Sequence, residues 1–179
     1  MVAIMREILR KYPNCEFGRE LFPGNPVPIL RVSGGKTTAD VADWGYLTQK
    51  GKRVYNARSE TLLEKPLFGK DFVQNRCVIP VTGFCEWDGD GTGWDFLPQE
   101  EEMLYLAGVC RKKTEGWEAT VVTEHAAGCV GEIHHRTPLI LSGENLRQWL
   151  YDETQARQFL EEAKERVLLK RKKMEGETL

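Results

Sequence analysis

The sequence predicts a single domain of the α+β class, residues 1–179, with a mainly antiparallel β core flanked by helices. Two observations lead to this prediction. Helical patterns lie towards both ends of the chain, whereas β-branched and apolar runs typical of strands lie between them. In addition, 179 residues with 41% hydrophobic content and no internal repeat suit one domain with a sizeable core.

The first dozen residues have the apolar spacing of a helix, with charged residues in between. The apolar positions are Ile4, Met5, Ile8, Leu9 and Tyr12. No Ser, Thr, Asp or Asn precedes them as a helix cap. Two interpretations follow: a frayed terminal helix, or a helix whose leading segment is missing.

Strand signals fill the middle of the chain. The strongest is the β-branched run 77–87, for which we predict one nearly continuous strand buried on both faces. Weaker signals predict strands at 27–32, 104–110 and 119–123, a short apolar piece at 43–47, helical turns at 59–63 and 69–75, and a turn at 88–93.

Two helices are predicted near the C-terminal end. Ser142 is placed to cap a helix at 144–150, and Asp152 with Gln155 resembles the capping box of a last helix, about 153–173. The basic run at 170–173 suits the end of that helix, because cations there offset the helix dipole. Contact of this run with nucleic acid is the less favoured interpretation.

Composition excludes several classes of protein. The 25 Lys+Arg nearly balance the 27 Asp+Glu, no apolar run reaches the roughly 18 residues of a membrane span, and no signal-peptide pattern is present. Five scattered Cys and three His form neither a disulfide framework nor a zinc pattern. We therefore expect a cytoplasmic monomer without membrane contact, metal or cofactor.

Acidic residues are concentrated in one part of the chain. Residues 77–110 contain seven of them and no Lys or Arg. We interpret the segment as a solvated hairpin loop, and we do not expect that face to contact DNA.

The segment Asn-Ala-Arg-Ser-Glu-Thr at 56–61 is the first candidate site. Arg58 beside the amide of Asn56 and a hydroxyl group could bind a phosphate oxygen or a sugar. The alternative is a helix start capped by Ser59, with Arg58 in a surface ion pair.

Glu86 is the second candidate. A carboxylate among Phe84, Cys85 and Trp87 loses hydration, which raises its pKa and suits it to general acid/base catalysis. The alternative is a glutamate at a strand end that faces water.

The segment Glu-Ile-His-His-Arg-Thr-Pro at 132–138 is the third candidate. If this segment is extended, His134 and His135 point to opposite sides, so they are not expected to share a metal ion. One of them could then carry protons in a cleft. The alternative is an ordinary pair of loop histidines.

Taken in order, these segments resemble a known family. The matching motifs are Asn-Ala-Arg-Ser-Glu-Thr-Leu, Glu-Lys-Pro, Arg-Cys-Val-Ile-Pro-Val-Thr-Gly-Phe-Cys-Glu-Trp, Leu-Ala-Gly and Ile-His-His-Arg-Thr-Pro, together with Trp44-Gly45. In order and spacing, from about 23 to 150, the chain is similar to the SOS response-associated peptidase (SRAP) family. Several motifs in the right order are more specific than any one of them.

The resemblance implies a barrel-like β core and a groove that binds single-stranded DNA with abasic sites. In that family an N-terminal Cys forms a covalent DNA–protein crosslink, in which its amine and thiol condense with the sugar aldehyde. Asn56 would orient the nucleophile or sugar, Arg58 would hold a phosphate, and Trp44 would stack on the DNA. Glu86 would transfer protons at the imine, and His134 would open the sugar ring and act as acid/base in self-release.

The chain departs from the family pattern at its start. It begins Met-Val-Ala, without the Met-Cys-Gly-Arg that supplies the nucleophile. Either a leading segment with an N-terminal strand and this Cys is missing, which the uncapped first helix favours, or this member lacks the crosslinking residue. Cys85 stands where the family usually has Tyr, and Thr137 replaces the usual Met before Pro138. No other residue replaces the amine-plus-thiol pair, since Cys15 is internal and has no free amine.

Three functions are therefore weighed from the sequence. The first is a DNA-damage response protein that crosslinks to abasic sites, with the family's autoproteolytic peptidase and lyase chemistry. The second is a non-catalytic module that binds and shields single-stranded DNA. The third, a peptidase that pairs an internal Cys with His134, lacks the local motifs of such enzymes. In the first two cases the cytoplasmic protein would associate with the nucleoid when bound to DNA.

Overall fold

The computed structural model describes residues 2–18, 20–162 and 167–174. Within these ranges the helices are α1 (Val2–Lys11), α2 (Gly69–Gln74), α3 (Gly128–Gly131), α4 (Asn145–Tyr151) and α5 (Glu153–Glu161), with a 3₁₀ turn at Ser59–Thr61. The strands are β1 (Pro26–Ser33), β2 (Lys36–Trp44), β3 (Tyr46–Leu47), β4 (Arg53–Val54), β5 (Asn56–Arg58), β6 (Arg76–Val81), β7 (Phe84–Trp87), β8 (Gly93–Pro98), β9 (Leu104–Lys112), β10 (Trp117–His125), β11 (Arg136–Pro138), β12 (Ile140–Leu141) and β13 (Leu169–Lys173).

The largest sheet has eight strands and closes on itself. Seven of the strands follow the order β11-β10-β2-β1-β6-β9-β12, and the eighth, β5, pairs with β10. An additional pairing of β10 with β9 closes the path from β10 to β9 into a ring. Most pairs are antiparallel, whereas β10 runs parallel to β2 and to β5. The expected α+β class with a barrel-like, mainly antiparallel core is confirmed.

Residue alternation along the central strands builds two apolar clusters. On β6, Val78 faces one cluster with Phe72 and Trp149, whereas Cys77 and Ile79 face the other. Successive side chains of a strand point to opposite faces, so a strand covered on both sides is apolar throughout. Burial on both faces is therefore confirmed for the β6 part of the predicted strand 77–87.

The prediction of one strand over 77–87 is wrong beyond residue 81. The strand is interrupted at Thr82 and Gly83. After this interruption, β7 joins β8 and β13 in a separate three-stranded sheet of order β13-β8-β7. A Cβ on Gly83 would lie 2.7 Å from the carbonyl oxygen of Phe96 and 2.6 Å from Leu97 Cδ2. Glycine is needed at this junction because the backbone of β8 approaches it so closely.

The acidic segment is more ordered than a solvated loop. The predicted turn is present, with the Gly91 amide donating to the Asp88 carbonyl at 3.0 Å. It leads into β8, which was not expected. The Asp88 carboxylate accepts hydrogen bonds from the Thr92 amide and from Trp94 Nε1, at 2.9 Å each. These bonds hold the turn that starts β8.

The predicted C-terminal helix of about 153–173 is shorter in the structure. Asp152 does cap α5, accepting from the Gln155 amide at 3.0 Å, but α5 ends at Glu161. The basic run forms β13, in which Lys172 pairs opposite Asp95 of β8. Opposite charges at facing positions of neighbouring strands attract, so Asp95 favours this placement of Lys172. Ala163 of the predicted apolar face lies outside the described residues.

The predicted cap of α4 is wrong. Ser142 Oγ lies 2.7 Å from the side-chain oxygen of Asn145 and caps no backbone amide of α4. Glu144 occupies the N-cap position with helical backbone angles and without a side-chain cap.

The N-terminal helix α1 packs on β2. Ile8 is fully buried, Lys11 Nζ donates to the Ala39 carbonyl at 2.6 Å, and Tyr12 donates its hydroxyl hydrogen to Asp40. Arg31 of β1 also binds Asp40, with Nη2 at 2.8 Å. A polar cluster therefore fixes α1 to the rim of the ring. None of the described helices has the length and apolarity to cross a membrane.

Candidate functional site

Glu86 and His134 are brought together from two different parts of the fold. Glu86 lies on β7, in the three-stranded sheet, with its side chain about one-quarter exposed. His134 follows α3, and its amide donates to the Val130 carbonyl at 2.8 Å. His134 Nδ1 lies 3.6 Å from Glu86 Oε2. A carboxylate and an imidazole at this separation can exchange or share a proton through small movements.

The local electrostatics favour proton transfer at Glu86. Burial raises the pKa of this carboxyl above its ordinary value, and the positive charge that His134 can carry opposes that increase. A carboxyl group whose pKa is raised towards neutrality is a better acid and base near pH 7 than an exposed one. The interpretation of Glu86 as a fully solvated strand-end residue does not fit this position.

His134 sits in a turn that offers its ring several partners. Its Nδ1 lies 3.0 Å from the Arg136 carbonyl oxygen and 3.2 Å from the Arg136 amide nitrogen. Protonated Nδ1 would donate to the carbonyl, whereas unprotonated Nδ1 would accept from the amide. The same ring atom can thus gain or lose a proton and keep a backbone partner.

The expected opposite orientation of the two histidines is wrong. The segment bends at His135 instead of running extended, and the His134 and His135 rings lie 4.4 Å apart between centroids. A turn does not alternate its side chains as a strand does. His134 is half-buried next to Glu86, whereas His135 is exposed.

Asn56 and Arg58 lie on the same face of β5, with the buried Ala57 between them. Strand β5 runs parallel to β10, where Arg58 is opposite Thr123. Both side chains are exposed. The alternative for this segment is not observed: Ser59 caps no helix, and in the described part of the chain Arg58 has no ion pair. Arg58 is therefore available to an external anion.

An arginine that sequence reasoning did not single out joins these two regions. Arg136 of β11 forms a bidentate pair with Glu60, at 2.6 and 3.0 Å, and donates to the Thr123 carbonyl at 2.6 Å. The same Thr123 lies opposite Arg58 on one side and Pro138 on the other. Arg136 and Glu60 both belong to the motif segments, but their partnership depends on the fold.

Trp44 lies at the end of β2 and is half-buried. Its indole N–H donates to the Tyr55 carbonyl at 3.1 Å, and its ring meets the Tyr55 ring edge-on at 6.1 Å between centroids. Trp44 also packs against the cluster that contains Val27 and Ala119. Tyr55, which precedes Asn56, is the more exposed of the two rings, and sequence reasoning missed it.

The structure thus forms two groups of candidate residues. Glu86 and His134 form the first group and are in contact. In the second group, Trp44 contacts Tyr55, which directly precedes Asn56 in the chain. Strand β10 connects the two groups, because it pairs with β5, which carries Asn56, and with β11, which follows His134.

The thiols have properties that disfavour an internal nucleophile. Burial and a hydrogen bond to Asp95, at 3.1 Å, raise the pKa of Cys85 to about 12. Burial also raises the pKa of Cys15, and Cys77 and Cys110 are fully buried. A thiol with a raised pKa is protonated at neutral pH and reacts slowly. The interpretation as a thiol peptidase therefore gains no support from these thiols.

Comparisons with known proteins agree with the resemblance. The chain is 32% identical over 119 residues to abasic site processing protein YoqW of Bacillus subtilis (strain 168), covering 62% of this chain and 53% of that protein. It is 33% identical over 124 residues to abasic site processing protein HMCES of Gallus gallus, covering 53% of this chain and 37% of that protein. The chain therefore spans about half the length, or less, of these relatives.

A solved structure shows the same fold. A protein from Bordetella bronchiseptica superposes with a TM-score of 0.77 at 21% sequence identity, covering 93% of this chain and 94% of that one. The family model described as SOS response associated peptidase (SRAP) matches residues 9–175. With nearly the whole chain matched and the motif segments assembled around one ring of strands, the chain belongs to the SRAP family.

Proposed function

We propose that this protein acts on abasic sites in single-stranded DNA, with Glu86 and His134 as its proton-transfer pair. The observation that carries the proposal is the 3.6 Å separation between His134 Nδ1 and Glu86 Oε2 in a partly buried setting that raises the Glu86 pKa. The names of the relatives point to the same substrate. Arg58 supports it as an exposed cation that has no ion pair among the described residues.

The first chemical step assigned to the pair is opening of the abasic sugar. The closed sugar carries a hydroxyl on C1′. Opening breaks the bond between C1′ and the ring oxygen, forms the C1′ carbonyl, removes the hydroxyl proton and delivers a proton to the ring oxygen. His134 carries out this exchange, since its ring nitrogen can hold either protonation state. Glu86 stabilises the imidazolium when it forms.

The second step is capture of the aldehyde. An amine adds to C1′, water leaves to give an imine, and a thiol adds across the C=N bond to close a thiazolidine ring. The neutral acid form of Glu86 protonates the departing hydroxyl group, and its carboxylate takes the proton back from the thiol. The aminothiol comes from the N-terminal Cys that the family pattern implies, and Asn56 orients it. Self-release reverses these steps, with His134 as acid/base.

A second function is favoured by the state of the thiols. Cys15 and Cys85 have raised pKa values, and Cys77 and Cys110 are fully buried. A protein that relied on these thiols alone would bind and shield single-stranded DNA without a covalent bond. Arg58 and Trp44 would carry that binding.

The test incubates the protein with a single-stranded oligonucleotide that carries one abasic site and separates the products on a denaturing gel. Two controls are matched to it: an undamaged oligonucleotide, and one with a tetrahydrofuran analogue that has no aldehyde. The same incubation is repeated with the chain extended at its N-terminus by Met-Cys-Gly-Arg. Non-covalent binding is followed separately by fluorescence anisotropy.

We expect a gel-resistant product only with the true abasic site and the extended chain. In that chain, Glu86→Gln and His134→Ala should slow its formation by about 100-fold each, the usual contribution of general acid–base catalysis. Unchanged rates would disprove the assigned roles. Salt-sensitive binding without any covalent product, weakened by Arg58→Ala, would instead support the shielding function.

A further inference from the structure

Strands β3 and β4 and the loop between them form a short hairpin, residues 46–54, here called the cationic hairpin. From Trp44 to Ser59 the sequence contains Lys50, Lys52, Arg53 and Arg58 and no acidic residue. The two lysines are exposed. In the ranges that the structure describes, none of the four cations takes part in an ion pair. The segment is thus a concentrated positive surface in a chain of net charge −2.

Neighbouring carboxylates do not neutralise this hairpin. Glu118 lies beside it, and its Oε1 accepts from the Leu47 amide at 3.1 Å, but its Oε2 is paired with Arg111 at 2.7 Å. Asp43, just before Trp44, is paired with Lys113 at 2.5 Å. Glu118 and Asp43 thus have their own cations, and the half-buried Asp71 accepts from the Tyr46 hydroxyl at 3.1 Å. The exposed lysines of the hairpin are therefore directed to solvent.

The residue directly after the cationic hairpin, Tyr55, carries an aromatic ring at the surface. Tyr55 is 44% exposed, and it is positioned by the backbone at Gly45, which has a φ of +100°. A Cβ on Gly45 would lie 2.6 Å from Arg53 Cγ and 3.2 Å from Tyr55 Cβ. Arg53 crosses over Gly45 and donates to its carbonyl at 2.7 Å. Only glycine leaves room for both side chains and adopts this φ readily.

The position of Tyr55 in the chain makes its ring a neighbour of the proposed DNA-binding residues. It directly precedes Asn56, and its carbonyl is held by the Val121 amide at 3.0 Å and by the indole of Trp44. Trp44 meets the Tyr55 ring edge-on, at an interplanar angle of 81°. The ring is thus supported from one side and remains open to a planar ligand.

We propose that Tyr55 stacks on a base of single-stranded DNA and that Lys50 and Lys52 hold the phosphates beside it. Single-strand binding sites combine an aromatic platform for bases with cations that follow the backbone. The hairpin supplies the cations and the adjacent Tyr55 supplies the ring, next to Asn56 and Arg58. This inference rests on the proposed function and adds to it a second binding region. It assigns the main stacking surface to Tyr55, with Trp44 as its support.

The test measures binding of an undamaged, fluorescently labelled single-stranded oligonucleotide by anisotropy, so that no covalent chemistry contributes. Tyr55→Ala should weaken binding about tenfold, since one base–aromatic stack is of that strength. Tyr55→Phe keeps the ring and should bind as the native chain does. The matched control is Tyr151→Ala, because Tyr151 is a similarly exposed tyrosine on α4.

The salt dependence separates the cations from the ring. Replacing Lys50 and Lys52 together by Gln should reduce the slope of log affinity against log salt by about 1.4, the value for two single-strand phosphate contacts. Tyr55→Ala should leave that slope unchanged. Circular dichroism establishes that each variant is folded.

A photochemical measurement gives an independent readout on the native chain. Irradiation of its complex with an iodouracil-substituted oligonucleotide should attach the base to Tyr55, as identified by mass spectrometry of the peptides. This inference alone would be overturned if Tyr55→Ala bound the oligonucleotide as tightly as the native chain and the iodouracil base became attached to a residue other than Tyr55. Failure of the native chain to bind any single-stranded oligonucleotide would overturn both this inference and the proposed function.

Discussion

At the scale of single residues, burial determines the properties of the candidate groups. Glu86 is a carboxylate whose pKa is raised by loss of hydration. The side chain of Asp40 is less exposed to solvent than that of Glu86, and yet its pKa is lowered. Burial alone would raise the pKa of Asp40, but hydrogen bonds from Tyr12 and Arg31 outweigh it. The difference lies in the partners: Asp40 has donors that stabilise its charge, and Glu86 faces one titratable ring.

The raised pKa of Glu86 gives a prediction for stability. The folded protein holds the Glu86 proton more tightly than the unfolded chain, so native stability should fall as the pH rises through that pKa. In the Glu86→Gln variant the side chain is neutral at every pH, so the variant does not lose stability in this way as the pH rises. The melting temperature of the variant minus that of the native chain should therefore increase between about pH 4 and pH 7. A difference that decreases over this range would show that the attraction to His134 outweighs the effect of burial.

The raised pKa of Cys85 predicts low reactivity. With a pKa of about 12, this thiol should react with iodoacetamide at pH 8 at least tenfold more slowly than a free cysteine of pKa about 8.5. Peptide mapping by mass spectrometry measures the rate. Asp95→Asn removes the charged partner of the thiol and should accelerate its alkylation. Rapid alkylation of native Cys85 would show that the thiol is more exposed and acidic than the structure indicates.

At the scale of elements, the C-terminal strand β13 connects the two halves of the Glu86–His134 pair. It belongs to the same sheet as β7, which carries Glu86. It also contacts the segment before His134, where Arg171 Nη1 binds Glu132 at 2.5 Å and Cys129 Sγ lies 3.6 Å from the Leu169 carbonyl. Displacement of β13 would therefore disturb both sides of the site.

Two adjacent leucines test this connection. Leu169 begins β13 and is 7% exposed, whereas Leu168 is 56% exposed. Leu169→Ala should lower the free energy of unfolding by about 2–3 kcal/mol, the cost of emptying a buried leucine position. Leu168→Ala, the matched control, should change it by less than about 0.5 kcal/mol. Equal effects in urea titrations would contradict the packing of β13 against the core.

The extent of sequence-based prediction differs between elements for physical reasons. The central strands were predictable, because burial on both faces makes them continuously apolar, as in Cys77–Pro80 of β6. The break at Gly83 and the strand nature of 169–173 were not. Both depend on pairing with β8, which leaves no periodic signal at either place. The cap at Asp152 was predictable because it is local.

The candidate site shows the same division. The residue types and motif order selected Glu86, His134, Asn56, Arg58 and Trp44, and the structure brings Glu86 against His134. The Arg136–Glu60 pair and the exposure of Tyr55 were not predictable. Each follows from pairing of β10 with its neighbours, which places residues far apart in sequence side by side.

At the scale of the whole molecule, the N-terminal helix and the proposed site respond to acid in opposite directions. Because the folded-state pKa of Asp40 is lowered, its contribution to stability is present above the unfolded pKa and lost as the pH falls through the folded value. For Glu86, protonation in the folded state is favoured. Acid below about pH 4 should thus loosen the attachment of α1 while leaving Glu86 neutral in place.

This balance is measurable in the full chain. Between about pH 6 and pH 3, the free energy of unfolding should fall more steeply for the native protein than for Asp40→Asn, which has no charge to lose. Urea titrations at several pH values give both slopes. The hydrogen bonds to Tyr12 and Arg31 would be irrelevant to acid stability if the two slopes coincided.

The location of Glu86 on β7 and of His134 in the turn before β11 has a consequence for the order of folding. Strands β8, β9 and β10 and helix α3 lie between the two residues along the chain, so their contact closes a long loop and forms only after the pairings of β9 and β10 are in place. Contacts of large sequence separation form slowly. A ribosome-bound or partly folded chain therefore carries the cationic hairpin and Arg58 before Glu86 and His134 meet, and the proposed acid–base pair forms only once the ring of strands has closed.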